Sequence, residues 1–236
     1  MQQSEVAQLP LSHRLLAWFD ANRKPAMIGA LVIVVVGFII GYVVWQHGQT
    51  QVAAGTAFTD AAAGQIGMAI PRANPSQAYL AVVSKYPNAP AGAQALLMAA
   101  VTSFTDGKFA DSQAQFERFV REYHDSEFMG DALLGIGACY DAQGKADQAV
   151  AAYKNLYERH PNAAAVPQAK FALARIYEAQ AKPELARDLY EELERYPYSS
   201  IANDAAMRLE ELTAKFPKLA AAAAIPTNTT FRIEKK

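Results

Sequence analysis

The sequence predicts an all-α protein: one apolar N-terminal helix, then an array of helical hairpins. Three observations predict it. Residues 26–45 read AMIGALVIVVVGFIIGYVVW, without a single charge. Past that run, the same residue types return at intervals of 37, 37 and 36 positions. Alanine and other good helix formers fill the chain, and β-branched residues cluster in 32–44.

The apolar run comes first. A helix rising about 1.5 Å per residue needs roughly 20 apolar residues to cross the hydrocarbon core of a bilayer, and 26–45 has that length. Tyr42 and Trp45 fall where an interfacial aromatic belt belongs. Arg14, Arg23 and Lys24 precede the run, and the next basic residue after it is Arg72. The excess of positive charge on one side predicts a cytoplasmic N-terminus and export of everything beyond residue 46. A cleaved signal peptide is the competing expectation, with Val52-Ala53-Ala54 as the cleavage site. The run is longer than a signal core and its leader is long, which favours an uncleaved anchor. Before the run, Leu11, Leu15, Trp18 and Phe19 predict a short interfacial helix. Gly37 and Gly41 form a G-x-x-x-G step that would let two copies approach as a homodimer.

The array follows. Tyr86-Pro87, Tyr123-His124, His160-Pro161 and Tyr196-Pro197 occupy one slot. Gln94-Ala95, Asp131-Ala132, Gln168-Ala169 and Asp204-Ala205 occupy the next. Gly107-Lys108, Gly144-Lys145 and Ala181-Lys182 form a turn slot. Behind it come a small slot (Ser112, Ala149, Ala186), an aromatic slot (Phe116, Tyr153, Tyr190) and a third slot (Phe119, Leu156, Leu193). Glycine allows a left-handed helix end, the small slot allows close helix approach, and the aromatic fills the space between neighbours. A single such hairpin cannot bury its own apolar face, so stacking is obligatory. Residues 52–69 and 76–86 predict a weak first pair. Residues 202–216 predict a closing helix with Met207, Leu209, Leu212 and Phe216 on its apolar side.

This pattern resembles the tetratricopeptide repeat (TPR). Residues 133–161 match at Leu133, Ile136-Gly137, Tyr140, Gly144, Ala149, Tyr153 and Pro161. Residues 170–197 match at Leu173-Ala174, Tyr177, Ala186, Tyr190 and Pro197, and depart at Lys170 and Ala181. Residues 96–124 match at Leu96, Gly107 and Phe116, and depart at Ser103 and His124. The long period resembles a bacterial envelope subgroup. The expected organisation is a leader 1–25, a transmembrane helix 26–45, a TPR-like solenoid 46–217 and a tail 218–236.

No chemistry is written into the chain. Lys and Arg number 22 against 23 Asp and Glu, so no basic excess points to nucleic acid. The four histidines are scattered, and H-E-x-x-H, P-loop, G-x-G-x-x-G and G-x-S-x-G motifs are absent. Glu191-Glu192 and Glu210-Glu211 diverge by about 100° on a helix and make no acid–base pair. Cys139, the single cysteine, reads as a small core residue. The chain is therefore expected to be no enzyme, with no catalytic residue, metal or cofactor.

The resemblance implies a concave groove lined by the first helices. Its positions here are Gln94, Leu97, Val101, Phe104, Asp131, Leu134, Ala138, Asp141, Gln168, Phe171, Arg175 and Glu178. Such a surface suits an extended peptide or a partner helix. The whole layout resembles the ancillary SecYEG translocon subunit (YfgM-like) family. That resemblance implies a single-pass protein of the bacterial inner membrane, with its C-terminal domain periplasmic. Its partners would be translocon subunits, periplasmic chaperones or nascent exported chains. An envelope-assembly scaffold resembling outer-membrane or Tol-Pal TPR proteins is the alternative, and a bitopic regulator is a third.

Overall fold

The computed structural model describes residues 22–63, 74–196 and 199–217. The leader face of Leu11 to Phe19, most of the IPRANP loop, Pro197 and the tail lie outside them. The chain divides into two units, residues 1–55 and 56–236. Nine helices run through the described residues. They are α1 Arg23–Ala63, α2 Pro75–Lys85, α3 Pro90–Thr105, α4 Phe109–Glu122, α5 Met129–Ala142, α6 Ala146–Arg159, α7 Val166–Ala179, α8 Pro183–Glu194 and α9 Ser200–Lys215. No strand occurs among the described residues.

Helix α1 has 41 residues, about 60 Å at 1.5 Å per residue. Its apolar part is long enough to cross a membrane, and its side chains from Met27 to Trp45 are exposed. Tyr42 and Trp45 sit with ring centres 6.2 Å apart.

In the second unit each helix packs on the next, from α2 to α9. The first helices of successive hairpins also meet: α3 touches α5, α5 touches α7, and α7 touches α9. No comparable contact joins α4 to α6 or α6 to α8 among the described residues. First helices therefore lie on the inner, tighter side of the stack and second helices on the outer side.

The repeat slots explain the packing. Ser112, Ala149 and Ala186 are fully buried, as are Phe119, Leu156 and Leu193. Phe116, Tyr153 and Tyr190 are buried between them. Space for the rings comes from residues that lack bulk. A Cβ on Gly137 would stand 2.4 Å from the Tyr153 ring, and one on Gly135 would stand 2.4 Å from the Phe116 ring. Phe116 thus leaves its own hairpin and docks on the first helix of the next one. At the N-terminal end of the stack, Phe58 of α1 packs on Tyr79 of α2, with ring centres 5.7 Å apart.

Each turn is a Schellman closure. The Lys145 amide donates to the Tyr140 carbonyl, and Gly144 to Asp141, both at 2.9 Å. The same pair of bonds closes the turns at Gly107-Lys108 and Ala181-Lys182. Gly107 and Gly144 carry φ of 73° and 72°. Ala181 holds the same turn at φ 55°, so a Cβ stands where glycine is favoured. The slot with His124 in place of proline still ends its helix at Tyr123, as the proline slots end theirs at Tyr86 and His160. Tyr123 then ties two hairpins together, its hydroxyl donating to the Pro87 carbonyl at 2.8 Å.

The other departures also have local answers. Lys170 stands in a column that holds the buried Leu96 and Leu133. Its stem fills the apolar position, and its ammonium lies 2.5 Å from Glu192 and 5.4 Å from the centre of the Tyr157 ring. One cation therefore links α7 to both α8 and α6. Met207 does not join the closing helix's apolar side: it is 54% exposed, whereas Leu212 is buried.

Four stability outcomes follow from this geometry. Ala181→Gly relieves the left-handed alanine and should raise stability by about 0.5–1 kcal/mol; Gly144→Ala should lower it by about 1 kcal/mol. Lys170→Met keeps the volume and removes a desolvated charge, so it should be neutral or stabilising. Glu192→Ala leaves the ammonium without its carboxylate and should cost about 1 kcal/mol. Thermal and denaturant unfolding followed by circular dichroism measures all four.

Candidate functional site

The inner face of the stack is the candidate site. The twelve expected residues lie on α3, α5 and α7 in four columns, spaced three, four and three residues along each helix. That spacing keeps them on one stripe.

The columns differ in character. Asp131 and Gln168 are exposed and Gln94 is half-buried. Leu97, Leu134 and Phe171 are half-buried and pack against the two apolar cores. Phe171 meets Tyr190 edge-on, with ring centres 5.6 Å apart. Val101 and Arg175 are exposed, with Ala138 half-buried between them in register. In the last column Asp141 is exposed. Phe104 stacks edge-on with Phe109 at 5.1 Å, and Glu178 accepts a hydrogen bond from the Tyr190 hydroxyl. The structure therefore brings all twelve to one face but divides their work. The central apolar column is partly a packing element, and the flanking columns hold the exposed side chains Val101, Asp131, Asp141, Gln168 and Arg175.

The stripe continues on α9. The interval to this helix is 36, so Asp204, Met207 and Glu211 extend the columns of Gln168, Phe171 and Arg175. All three are exposed. Sequence reasoning stopped the groove at Glu178 although the Asp204-Ala205 slot had already marked the register. The result is an inner face with Asp131, Asp141, Glu178, Asp204 and Glu211 against Arg175, which is acidic on balance.

Burial sets the titration of the groups nearby. Desolvation raises the Asp131 carboxyl above its ordinary value. It pushes the phenols of Tyr153 and Tyr190 well above the ordinary tyrosine range, so both stay neutral hydrogen-bonding groups. Cys139 is fully buried, lies 3.3 Å from the Ser112 hydroxyl, and has its thiol raised by burial. A raised thiol is a poor nucleophile, which fits a core role. Among the described residues no cluster of three or more His, Cys, Asp or Glu could hold a metal ion.

Comparison with solved structures agrees with this architecture. A tetratricopeptide repeat protein from Parabacteroides merdae superposes with a TM-score of 0.54 at 15% identity, covering 73% of this chain and 64% of that one. A putative kinesin light chain of Podosopora anserina, with nearly identical TPR-like repeats, gives 0.53 at 13% identity, covering 71% and 89%. The type III secretion chaperone SycD of Yersinia enterocolitica, in complex with a peptide of the translocator YopD, matches over 52% of this chain and 92% of its own, at 19% identity and a TM-score of 0.45. No curated protein matches the sequence. The model of the tetratricopeptide repeat-like domain family matches residues 17–192, which take in both the apolar helix and the three hairpins. The chain belongs to the tetratricopeptide repeat-like domain family.

Proposed function

We propose that this protein is a membrane-anchored, non-enzymatic interaction module. Its repeats stand on the periplasmic side of a bacterial inner membrane and hold segments of other proteins against the inner face of α3, α5, α7 and α9. One observation carries the reading. A charge-free helical run, residues 26–45, long enough to span a bilayer and preceded by Arg23 and Lys24, belongs to the same family match as a stack of repeats with a polar-and-apolar inner face.

The physical argument runs from both ends. Exposed apolar side chains from Met27 to Trp45 are stable in lipid and costly in water. Basic residues on the leader side favour retention of that side in the cytoplasm. The inner face offers one apolar column, Leu97, Leu134 and Phe171, flanked by columns that mix acidic, polar and apolar residues, a pattern that suits a segment with apolar anchors and basic or polar flanks. The layout supports a place beside the Sec translocon, where emerging chains meet periplasmic chaperones. Envelope assembly at the outer membrane is the competing assignment for the same module.

Two measurements test this. Protease added to intact spheroplasts should digest the repeats and spare them in intact cells; repeats protected in spheroplasts but cut after lysis would reverse the orientation. Photo-crosslinking residues at Val101, Asp131 and Arg175 should capture translocon subunits or periplasmic chaperones in membranes, at least tenfold above the same probes at Arg121 and Glu158 on the outer helices. Equal capture from both faces would remove the inner-face assignment, and capture of outer-membrane assembly factors alone would favour the competing one.

A further inference from the structure

The first hairpin departs from the other two in one column. Tyr140 and Tyr177 occupy equivalent positions near the ends of α5 and α7, and α3 carries Ser103 there. In the two tyrosine hairpins the turn lysine lies over the ring. Lys145 Nζ is 5.9 Å from the centre of the Tyr140 ring, and Lys182 Nζ is 5.8 Å from that of Tyr177. Each lysine is held in place by the side chain two residues before it. Lys145 donates to Gln143 at 2.8 Å and Lys182 to Gln180 at 2.7 Å.

Lys108 keeps this arrangement. It donates to Asp106 at 3.0 Å, from the same left-handed glycine turn. Among the described residues no ring lies beneath it. Instead a cavity of about 440 Å³ opens there, lined by Ser76, Leu80, Ser103, Lys108, Asp111 and Gln115. Ser76 and Ser103 form its buried floor, with their hydroxyls 2.9 Å apart. The floor is satisfied: Ser76 also bonds the Ala99 carbonyl at 3.1 Å, and Ser103 donates to Gln115 at 3.3 Å. Leu80 is in register with Lys154, the residue whose ammonium is held charged by the nearby Tyr177 side chain. The far end of a ring seated here would therefore meet an apolar side chain. A cation already positioned for a ring face, an apolar end wall and a floor too short to fill the space form one site.

We propose that this cavity receives the aromatic side chain of a partner protein segment, seated between α2 and α4 beneath the Lys108 ammonium as Tyr140 and Tyr177 are seated in the later hairpins. Asp111 at the rim disfavours acidic flanks and favours neutral or basic ones. The identity of the ring's carrier rests on the interaction reading above. The cavity itself does not, because an isolated ring can be used to probe it.

The test is a titration of the full-length chain in lipid nanodiscs, carrying lysine labelled with ¹³C at the ε position. The probes are N-acetyl-tyrosinamide and N-acetyl-phenylalaninamide, with N-acetyl-leucinamide as the aliphatic control. Before addition, ring currents should place the Lys145 and Lys182 signals upfield of Lys108. Millimolar aromatic probe should move Lys108 upfield, leave Lys145 and Lys182 in place, and have no counterpart with the leucine probe. Ser103→Tyr should move Lys108 upfield without any probe and abolish the response; should that variant not fold, the wild-type titration decides alone. A Lys108 signal unmoved by both aromatic probes overturns the proposal. So does a shift shared with Lys145 or reproduced by the leucine probe. Loss of crosslinking on the inner face would leave a positive titration standing, so the two readings fail separately.

Discussion

The structure depends on one kind of contact: a ring from a second helix, Phe116 or Tyr153, pressed against a glycine of a first helix that has no bulk to offer there. Tyr153 lies where a Cβ on Gly137 would intrude, and Phe116 where one on Gly135 would. A hairpin of two short helices buries too little apolar surface to stand alone. Phe116 changes that by reaching Gly135 of the next hairpin, while Tyr153 presses on Gly137 of its own, so the rings tie helices together both within and between hairpins. Every other feature of the repeat serves this fit. Small residues at Ser112, Ala149 and Ala186 bring the paired helices close enough, and the turn fixes the angle at which the second helix returns.

This division explains what could be read from the sequence. The hairpins were legible because their constraints are local or periodic. A left-handed residue after a helix demands glycine, a ring demands a small neighbour, and both demands recur every repeat. Even the departures were visible as departures. What they do was not. Lys170 looks like a lost core residue until the fold places Glu192 and Tyr157 on either side of it. Ser103 looks like decay until Ser76 and Gln115 are found bonded to it. Tyr157 and Ser76 come from the preceding helix pair, Glu192 and Gln115 from across the same hairpin, and no spacing rule reaches any of them. Met207 was misjudged for the related reason that a closing helix has no successor: its apolar side chain marks the open inner face and not a core.

The inner face was legible as a stripe and illegible as a surface. Periodicity placed Gln94 to Glu178 on one side of their helices. It could not separate Leu134 and Phe171, which share their area with the cores, from Asp131, Asp141 and Arg175, which face outward. That separation depends on how near the first helices approach one another, and so on the rings packed behind them. The same packing that holds the stack thus decides how much of the central column remains for a partner. On the proposed reading, a partner segment would meet its most continuous apolar contact along the column of Leu97, Leu134 and Phe171, and charge at Asp131, Asp141 and Arg175 beside it. That arrangement favours register and orientation over raw affinity.

The apolar helix raises the opposite problem. In the stack most large apolar side chains are covered, with single exceptions such as Val101, Leu185 and Met207, yet α1 exposes Ile33, Phe38, Ile39, Ile40 and Trp45 among many others. Single exposed hydrophobes need no account, but an unbroken sleeve of them around a helix does. A helix of a soluble bundle would show one apolar stripe and one polar one; here the apolar residues occupy every side, so no single protein neighbour could cover them. An all-round apolar surface asks for an all-round apolar solvent. Its length fits one bilayer, its aromatic pair sits at one end, and its charges sit beyond the other. By length and composition this sleeve could cross a bilayer, and a bilayer would cover every side of it at once, which one neighbouring helix face could not.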